Sequence, residues 1–287
     1  LLAASLFFCP STHAKDSRMA KKMTVLLWPD GAPGAMGDAV ADKPDLTLYV
    51  PEGDGPFSCV VICPGGGYGA KAAHEGEPIA LWLNSIGIAG AVVQYRVSPY
   101  RYPVPADDAR RAIRLLRAKA GDWSIDPKHI GILGFSAGGH CATTAATIFA
   151  ASNLNADDPV DRESSRPDAL IACYPVITFG EKRHDGSMRN LLKDKDGQVD
   201  PAMQDYLSLE KRVTPETPPT FLWHTADDAG VPVENSLLFA TALRANKVPF
   251  ALHVFPHGPH GLGLASNNPS VGQWPSLCGN WLKSIGF

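Results

Sequence analysis

Ser136 stands between two glycines in the stretch Gly-Phe-Ser-Ala-Gly (134–138). The apolar run HIGILGF leads into it, and the alanine-rich stretch AGGHCATTAA follows it. Glycine two residues before and two residues after a serine is typical of a strand-to-helix turn that is too sharp for larger side chains. Such a turn presents the hydroxyl at the top of a sheet, where it can act as a nucleophile. The alternative is a glycine-rich turn with an inert serine.

A serine hydroxyl needs a base to accept its proton and a third group to orient that base. The last two apolar runs, TFLWHT and FALHVFP, are each followed by a loop with the required residue types. The first loop holds Asp227 and Asp228, and the second holds His257 and His260. We favour Asp228 as the acid, because it stands three residues before Val231, where the next helical segment begins, and should reach the tip of the turn.

The histidines of the chain divide into one candidate base and several core residues. His260 is favoured over His257, because Gly261 follows it and its loop is long enough to fold back over the sheet. His224 and His253 lie inside strands, and His140 lies one helical turn after Ser136. We interpret these three as packed or hydrogen-bonded core residues.

A glycine-rich stretch, CPGGGYG (63–69), follows the first long apolar run. Successive glycines let the main chain approach a ligand without interference from a Cβ atom. The amides of Gly66, Gly67 and Ala137 would stabilise the negative charge that develops on a carbonyl oxygen during acyl transfer. A phosphate-binding loop is the alternative, but the stretch lacks both the Lys-Ser/Thr pair and the G-x-G-x-x-G spacing.

Short apolar runs rich in β-branched and aromatic residues alternate with helical patterns. The runs cover residues 57–63, 88–95, 129–135, 169–175, 220–225 and 250–256, with an earlier strand in 47–53. The helical patterns are PADDARRAIRLLRAKAG, a segment with Asn235 as its N-cap, and the C-terminal QWPSLCGNWLKSIGF. This alternation predicts an α/β protein whose mostly parallel central sheet is covered by helices on both faces.

Residues 177–219 interrupt the alternation. They contain no clean strand, and their composition is polar and charged, as in GEKRHDGSMRNLLKDKDGQVD. A long connection between two buried strands is commonly a functional insertion. We predict a small cap or lid here, within a single domain that covers residues 15–287.

Composition excludes several function classes. The net charge of −3 gives no reason to expect nucleic acid or an anionic membrane as a partner. No apolar run reaches the roughly 18 residues needed to span a bilayer. No Cys/His spacing resembles a zinc site, and we expect no metal or organic cofactor. Four cysteines are interpreted as small buried apolar residues: Cys59, Cys63, Cys141 and Cys173.

The first fourteen residues, LLAASLFFCPSTHA, look like the end of a secretory signal peptide. An apolar block is followed by small residues at positions 12 and 14, where cleavage would follow Ala14. This pattern predicts export to the periplasm or the medium. A cytoplasmic location is the alternative if the segment is not a signal remnant.

Seven motifs together resemble the α/β-hydrolase superfamily, and within it the acetyl xylan esterases and the bifunctional feruloyl and acetyl xylan esterases. They are CPGGGYG, HEGEPIA, QYRVSP, GILGFSAGGH, TPPTFLWHTADD, VPVENS and HGPHGLGLA. The similarity extends from about residue 27 to the C-terminus. Pro64 stands where the H-G-G-G motif of related lipases has histidine, so the resemblance does not rest on that motif.

This resemblance implies the α/β-hydrolase fold with a short polar insertion after the sixth strand. It also implies a catalytic triad and an oxyanion hole at the residues singled out above: Ser136, Asp228 and His260, and the amides of Gly66, Gly67 and Ala137. His74, Glu75 and Arg96 match the family motifs too. We interpret these three as a buried polar network that braces the glycine loop.

The combined prediction is a serine esterase that hydrolyses short-chain acyl esters, such as acetyl or feruloyl groups on xylan or related carbohydrates. We expect Tyr68, Phe179 and His184 to contact the sugar. The alternatives are a carboxylesterase or lipase of broad specificity, a prolyl-oligopeptidase-like peptidase, and a non-catalytic binding protein with the same fold. The peptidase requires an accessory domain for which 287 residues leave no room, and the binding proteins usually lack a triad member.

Overall fold

A single eight-stranded sheet runs through the computed structural model, which describes residues 21–287. The expected signal-peptide segment, residues 1–14, lies outside the described residues. β1 and β2 pair antiparallel, as do β2 and β4, and all other neighbouring strands are parallel. In sheet order the strands are β1 (Lys21–Leu26), β2 (Asp45–Val50), β4 (Ala89–Val93), β3 (Phe57–Cys63), β5 (Ile125–Phe135), β6 (Leu170–Cys173), β7 (Thr220–Thr225) and β8 (Phe250–Phe255).

Helices cover both faces of this sheet. The helices are α1 (Glu77–Ser85), α2 (Val104–Ala118), α3 (Ala120–Trp123), α4 (Ser136–Thr147), α5 (Asp185–Leu192), α6 (Pro201–Tyr206), α7 (Glu234–Ala245) and α8 (Trp274–Ser284). Helices α1 and α8 pack on one face, and α2, α4 and α7 pack on the other. The structure confirms the predicted fold class, a mostly parallel sheet between two helical layers.

The central strands are continuous apolar runs because both of their faces are buried. In β3, Val60 and Ile62 belong to the core beneath α1 and α8, and Val61 and Cys63 belong to the core beneath α2 and α4. The edge strand β1 escaped prediction. Its sequence KKMTVL is short and half polar, and its residues alternate between exposed and half-buried, as is common where a strand borders solvent.

The predicted N-cap at Asn235 is wrong. Helix α7 begins at Glu234, so Asn235 lies inside its first turn, and its side chain is fully buried. Asn235 Oδ1 accepts the N–H groups of Ile177 and Thr178 at 2.9 and 3.0 Å. The asparagine therefore fixes the start of the segment that follows β6, because that segment has no strand neighbour there to take its amides.

The segment between β6 and β7 contains α5, α6 and a short 3-10 turn at Leu209–Lys211. Although its composition is polar, its apolar side chains turn inward, and Phe179, Leu207 and Leu209 are fully buried. The segment therefore packs onto the α4 side of the sheet and leaves its charged side chains on the outside.

The four cysteines predicted to be small core residues are buried, and Cys278 is buried as well. Within residues 21–287 all five are buried and none forms a disulfide: Cys59, Cys63, Cys141, Cys173 and Cys278. No helix in this part of the chain is long and apolar enough to cross a membrane.

The contact between α1 and β4 generates a prediction about stability. A Cβ atom on Gly90 would lie 2.6 Å from Ala80 Cα, so Gly90→Ala forces the helix away from the sheet. We expect this change to lower the free energy of unfolding by about 1–3 kcal/mol. Gly121→Ala in α3 is the matched control, because a Cβ atom there meets nothing within 4 Å. Equal midpoints in urea denaturation for the two variants would contradict this account.

Candidate active site

Ser136 is the first residue of α4 and directly follows β5. Its φ of 53° lies in the left-handed region, which a non-glycine residue enters only where its surroundings enforce it. A Cβ atom on Gly134 would lie 2.1 Å from Gly138 O, and one on Gly138 would lie 2.1 Å from Cys63 O. Glycine is therefore required at both positions for β5, α4 and the end of β3 to meet.

The loops after β7 and β8 bring an acid and a histidine to this turn. His260 Nε2 lies 2.7 Å from Ser136 Oγ, and His260 Nδ1 lies 2.7 Å from Asp228 Oδ2. Because a carboxylate only accepts hydrogen bonds, His260 Nδ1 carries a hydrogen, and the neutral ring accepts the serine O–H at Nε2. The three residues therefore form one hydrogen-bonded chain that can move a proton away from the hydroxyl.

Asp228 is buried and fixed by its own loop. Its Oδ1 accepts the N–H groups of Gly230 and Val231 at 2.8 and 2.9 Å. Burial alone would raise the pKa of Asp228, but hydrogen bonds from His224, His260 and the Val231 amide outweigh burial and hold the pKa well below its ordinary value. Asp228 is therefore a carboxylate at neutral pH, which accepts the hydrogen of His260 Nδ1 and fixes the orientation of the ring.

The rival residues pair with each other. His257 Nδ1 lies 3.0 Å from Asp227 Oδ2, and the Gly258 N–H donates to Asp227 Oδ1 at 2.9 Å. Both side chains are exposed. The hydrogen-bonded chain that starts at Ser136 thus passes through His260 and Asp228, the members of each pair that the loop spacing favours.

His224 contacts the site in a way that the sequence interpretation missed. It is fully buried in β7, as expected of a core histidine. Its Nε2 lies 2.9 Å from Val231 O and 3.5 Å from Asp228 Oδ2, and its Nδ1 lies 2.8 Å from Ser236 Oγ. Because a carbonyl only accepts, Nε2 carries the hydrogen and directs it at the acid loop. The signal in the sequence was the four-residue spacing from His224 to Asp228 at the end of a strand.

The glycine loop, Pro64–Gly69, follows β3 and lies beside Ser136. A Cβ atom on Gly65 would lie 3.1 Å from Ser136 Cβ and 2.7 Å from Glu75 Oε2. The Gly65 N–H donates to that carboxylate oxygen at 2.7 Å. The amide of Gly65 is therefore engaged with Glu75, in the way expected of a residue that braces the loop.

The next two amides of the loop are not engaged in this way. Within residues 21–287, the N–H groups of Gly66 and Gly67 have no hydrogen-bond partner. Their φ angles of 129° and 64° belong to the region that favours glycine. Ala137 lies in the first turn of α4, where amides lack a helical acceptor. All three predicted amides therefore keep the donor that an anion would require.

Tyr174 joins Glu75 to the histidine loop, residues 256–263. The Tyr174 O–H donates to Glu75 Oε1 at 2.6 Å, and Tyr174 Oη accepts the Gly263 N–H at 2.8 Å. The Tyr174 ring lies edge-on to His260, with their centroids 5.0 Å apart. No sequence pattern pointed to Tyr174, because its position depends on an unusual φ of 35° just after β6.

His74 and Arg96, the other two residues of the expected bracing network, contact different parts of the chain. His74 Nε2 donates to Gly261 O at 2.9 Å, so it ties the glycine loop region to the histidine loop. Arg96 instead forms a buried pair with Asp108, 2.7 Å between Nη2 and Oδ1, and donates to Pro33 O at 2.8 Å. Arg96 therefore braces the segment before β2, and the prediction that it braces the glycine loop is wrong.

The expectation that Tyr68 and Phe179 contact a sugar is wrong, because both side chains are buried, with 2% and 0% exposure. Tyr68 Oη lies 2.9 Å from His140 Nδ1, and Phe179 stacks on the His140 ring at a centroid distance of 4.4 Å. His140 Nε2 donates to Leu207 O at 2.9 Å. The φ of 58° at Tyr68 turns its ring into the core, which a loop sequence does not reveal.

His184 is half-buried at the start of α5, close to the glycine loop. A Cβ atom on Gly67 would lie 4.0 Å from His184 Cε1. The Ser187 N–H donates to His184 Nδ1 at 3.1 Å. The neutral ring therefore carries its hydrogen on Nε2, which has no hydrogen-bond partner within residues 21–287. Burial and the nearby His260 lower the pKa of His184, so this neutral form prevails at neutral pH.

Comparison with protein families gives one match for most of the chain. The BD-FAE family model matches residues 46–243, which include the glycine loop, Ser136 and Asp228. Among solved structures, this chain is similar to an acetyl ester-xyloside bifunctional hydrolase from Caldicellulosiruptor lactoaceticus. The two sequences are 48% identical, and the structures superpose with a TM-score of 0.88 over 94% of this chain and 98% of that one.

Two curated relatives have related names. The "Endo-1,4-beta-xylanase B" of Butyrivibrio fibrisolvens is 41% identical over 78% of this chain, and the "Acetylxylan esterase" of Xylanibacter ruminicola is 33% identical over 94% of it. The chain spans 35% of the first relative's length and 52% of the second's.

The burial of His140 leads to a prediction about pH. Burial lowers the pKa of His140 to about 4. Below about pH 6.5 the unfolded chain binds a proton there that the folded chain does not bind until about pH 4. The free energy of unfolding should therefore fall with decreasing pH across this window, and His140 contributes roughly 2 kcal/mol of the fall between pH 7 and 4.5.

Urea denaturation of the wild type and of His140→Gln at the two pH values measures this contribution. The variant should be less stable at pH 7, because it loses the hydrogen bonds of the His140 ring with Tyr68 and Leu207. Its stability should, however, change less between pH 7 and 4.5. An identical pH dependence in both proteins would refute the assignment.

Proposed function

We propose that this chain, which belongs to the BD-FAE family, is a serine esterase that removes short acyl groups, acetyl above all, from xylan or a related carbohydrate. The observation that carries the proposal is the hydrogen-bonded chain from Ser136 through His260 to Asp228, 2.7 Å at each step. A serine O–H that donates to a carboxylate-oriented histidine, beside unpaired loop amides, is suited to acyl transfer.

In the proposed first step, Ser136 Oγ attacks the ester carbonyl carbon while its proton passes to His260 Nε2. The carbonyl oxygen becomes an anion, which the amides of Gly66, Gly67 and Ala137 stabilise. When the tetrahedral species collapses, the bond to the sugar oxygen breaks, and that oxygen takes the proton from His260 Nε2. The products of this step are the free sugar hydroxyl and the acyl-serine.

In the second step, a water molecule repeats the sequence. His260 Nε2 accepts one proton as the water oxygen attacks the acyl carbon, and then returns the proton to Ser136 Oγ as the carboxylic acid leaves. Asp228 remains charged throughout and stabilises the His260 cation in both steps.

The proposed substrate class rests on the relatives and on the mouth of the site. One relative is named for acetylxylan, and the 48% identical structure for an acetyl ester and a xyloside. In this chain the half-buried His184 offers a free Nε2–H beside the glycine loop. We propose that His184 donates this hydrogen to a sugar oxygen of the bound ester. A feruloyl ester of the same carbohydrate is the second acyl group to test.

The proposed substrate, a polymer such as xylan, lies outside the cytoplasm, so we also propose that this protein is exported to the periplasm or the medium. The apolar stretch LLAASLFF followed by Thr12 and Ala14 supports export. Five buried free cysteines within residues 21–287 are compatible with it, because the fold does not depend on disulfide bonds.

Asparagine substitutions distinguish the two acids. Asp228→Asn should lower kcat/KM for p-nitrophenyl acetate roughly 10³–10⁴-fold, because the amide no longer holds the His260 tautomer that accepts the serine proton. Asp227→Asn should cost far less, since Asp227 contacts His257 and not His260. Ser136→Ala should abolish turnover with its melting temperature retained. A larger loss in Asp227→Asn than in Asp228→Asn would show that the acid has been misassigned.

The length of the acyl chain tests the substrate proposal. An apolar channel would raise kcat/KM roughly fourfold per methylene, from about 0.8 kcal/mol per buried CH₂. The segment after β6 instead buries its apolar side chains internally, so we expect acetate to exceed butyrate and octanoate to be poor. The p-nitrophenyl ester series, together with acetate release from acetylated xylan, measures this.

Rising activity with chain length, and no acetate from xylan, would favour a lipase or carboxylesterase of broad specificity. That result would leave the serine mechanism standing, because p-nitrophenyl esters would still react through Ser136. Failure of every ester to react, with Ser136 also inert to a fluorophosphonate probe, would instead favour a binding protein with this fold.

A further inference from the structure

We propose that an open concavity beside His260, bordered by Asp227, His257 and Asn268, is a subsite for a second sugar ring of the carbohydrate. This inference rests on the proposed function and names the part of the substrate that the concavity takes. The ligand class is a neutral sugar with neighbouring hydroxyl groups, linked to the ring that carries the ester.

The concavity measures about 700 Å³ and begins at His260 itself. Its floor includes Gly230, where a Cβ atom would lie 3.0 Å from His260 Cβ. In the proposed mechanism, the sugar oxygen takes its proton from His260 Nε2, so the leaving sugar lies next to this ring. A polymer that continues from that sugar along the histidine loop enters the concavity.

Hydrogen bonds fix which atom His257 presents there. The bonds from His257 and from the Gly258 N–H hold the pKa of Asp227 below its ordinary value, so Asp227 is a carboxylate that only accepts. His257 Nδ1 therefore carries a hydrogen and donates it to Asp227 Oδ2 at 3.0 Å. In the neutral ring Nε2 is then an acceptor, and it has no partner within residues 21–287. The side chain is 84% exposed, so this acceptor is accessible.

The same reasoning fixes the orientation of Asn268. Its side-chain Oδ1 accepts the N–H groups of Ser270 and Val271 at 3.1 and 3.0 Å. Its backbone donates to Ala265 O at 2.8 Å and accepts from the Gly272 N–H at 2.7 Å. The amide cannot flip without losing two bonds, so Nδ2 is the outward group, and among the described residues it donates to nothing.

With the His257 ring neutral, the concavity holds an acceptor, His257 Nε2, and a donor, Asn268 Nδ2, whose positions are set by hydrogen bonds. Neighbouring sugar hydroxyls complement this pair, because one can donate while the other accepts. Both protein groups are held by bonds to backbone or carboxylate before any ligand arrives, which reduces the entropy lost on binding. Asp227 keeps its charge, but both of its oxygens accept hydrogen bonds, from His257 and from the Gly258 N–H. The concavity therefore disfavours an anionic ligand and offers a neutral sugar the exposed acceptor and donor.

The test compares acetylated methyl xyloside, acetylated xylotriose and p-nitrophenyl acetate as substrates. Asn268→Asp keeps Oδ1 for the Ser270 and Val271 amides but replaces the donor with an acceptor, and His257→Ala removes the acceptor. In each variant we expect the ratio of kcat/KM for xylotriose to kcat/KM for p-nitrophenyl acetate to fall roughly three- to tenfold. Asn280→Ala, an exposed amide on α8, should leave this ratio unchanged.

In the wild type, kcat/KM should also rise from the acetylated methyl xyloside to xylotriose, and the variants should reduce this rise. An unchanged ratio in both Asn268→Asp and His257→Ala, in a wild type that releases acetate from xylotriose, would overturn the subsite alone. A wild type that hydrolyses p-nitrophenyl acetate but releases no acetate from either sugar ester would overturn the carbohydrate assignment and the subsite together.

Discussion

The close approach of main chain around Ser136 is the constraint on which the rest of the site depends. Carbonyl oxygens of Gly138 and Cys63 occupy the space that Cβ atoms on Gly134 and Gly138 would need, 2.1 Å away in both cases. This contact fixes α4 against the ends of β5 and β3. It forces Ser136 to a φ of 53° and sets the glycine loop, which continues from β3, beside the hydroxyl. Strain at one residue is thus maintained by packing that involves three elements.

A second layer of interactions holds the loops to this turn, because the acid, the histidine and the glycine loop come from distant parts of the chain. Glu75 accepts from the Gly65 amide and from Tyr174, and Tyr174 in turn accepts from the Gly263 amide. On the other side, His224 directs its Nε2 hydrogen at Val231 and Asp228. Each of these buried polar groups has partners, as burial requires, and Glu75 and Tyr174 each join two different loops.

The sequence was informative where burial or chain geometry restricts the choice of residue. Strands β3 and β7 were predicted with their observed bounds, since strands buried on both faces are continuous apolar runs. Ser136 was recognisable because its turn excludes any side chain larger than a hydrogen atom at the two flanking positions. The acid and the histidine were recognisable because the parallel strands that precede them end at one edge of the sheet. Side-chain direction in irregular segments was not predictable. Tyr68 and Tyr174 point where they do because of positive φ angles, and nothing in their neighbours' identities reveals those angles.

The insertion after β6 illustrates how composition can mislead about position. Its many charges predicted a polar cap, in which Phe179 and His184 were expected to contact the sugar, but Phe179 stacks on His140 and closes the core. The link to the glycine loop comes instead from a polar group, the Asn190 amide, whose Nδ2 donates to Gly67 O at 2.9 Å. That bond engages the carbonyl of Gly67, and the Gly67 N–H has no partner within residues 21–287. The insertion therefore holds the glycine loop beside Ser136 through a polar contact, although its own apolar residues are turned away from that loop.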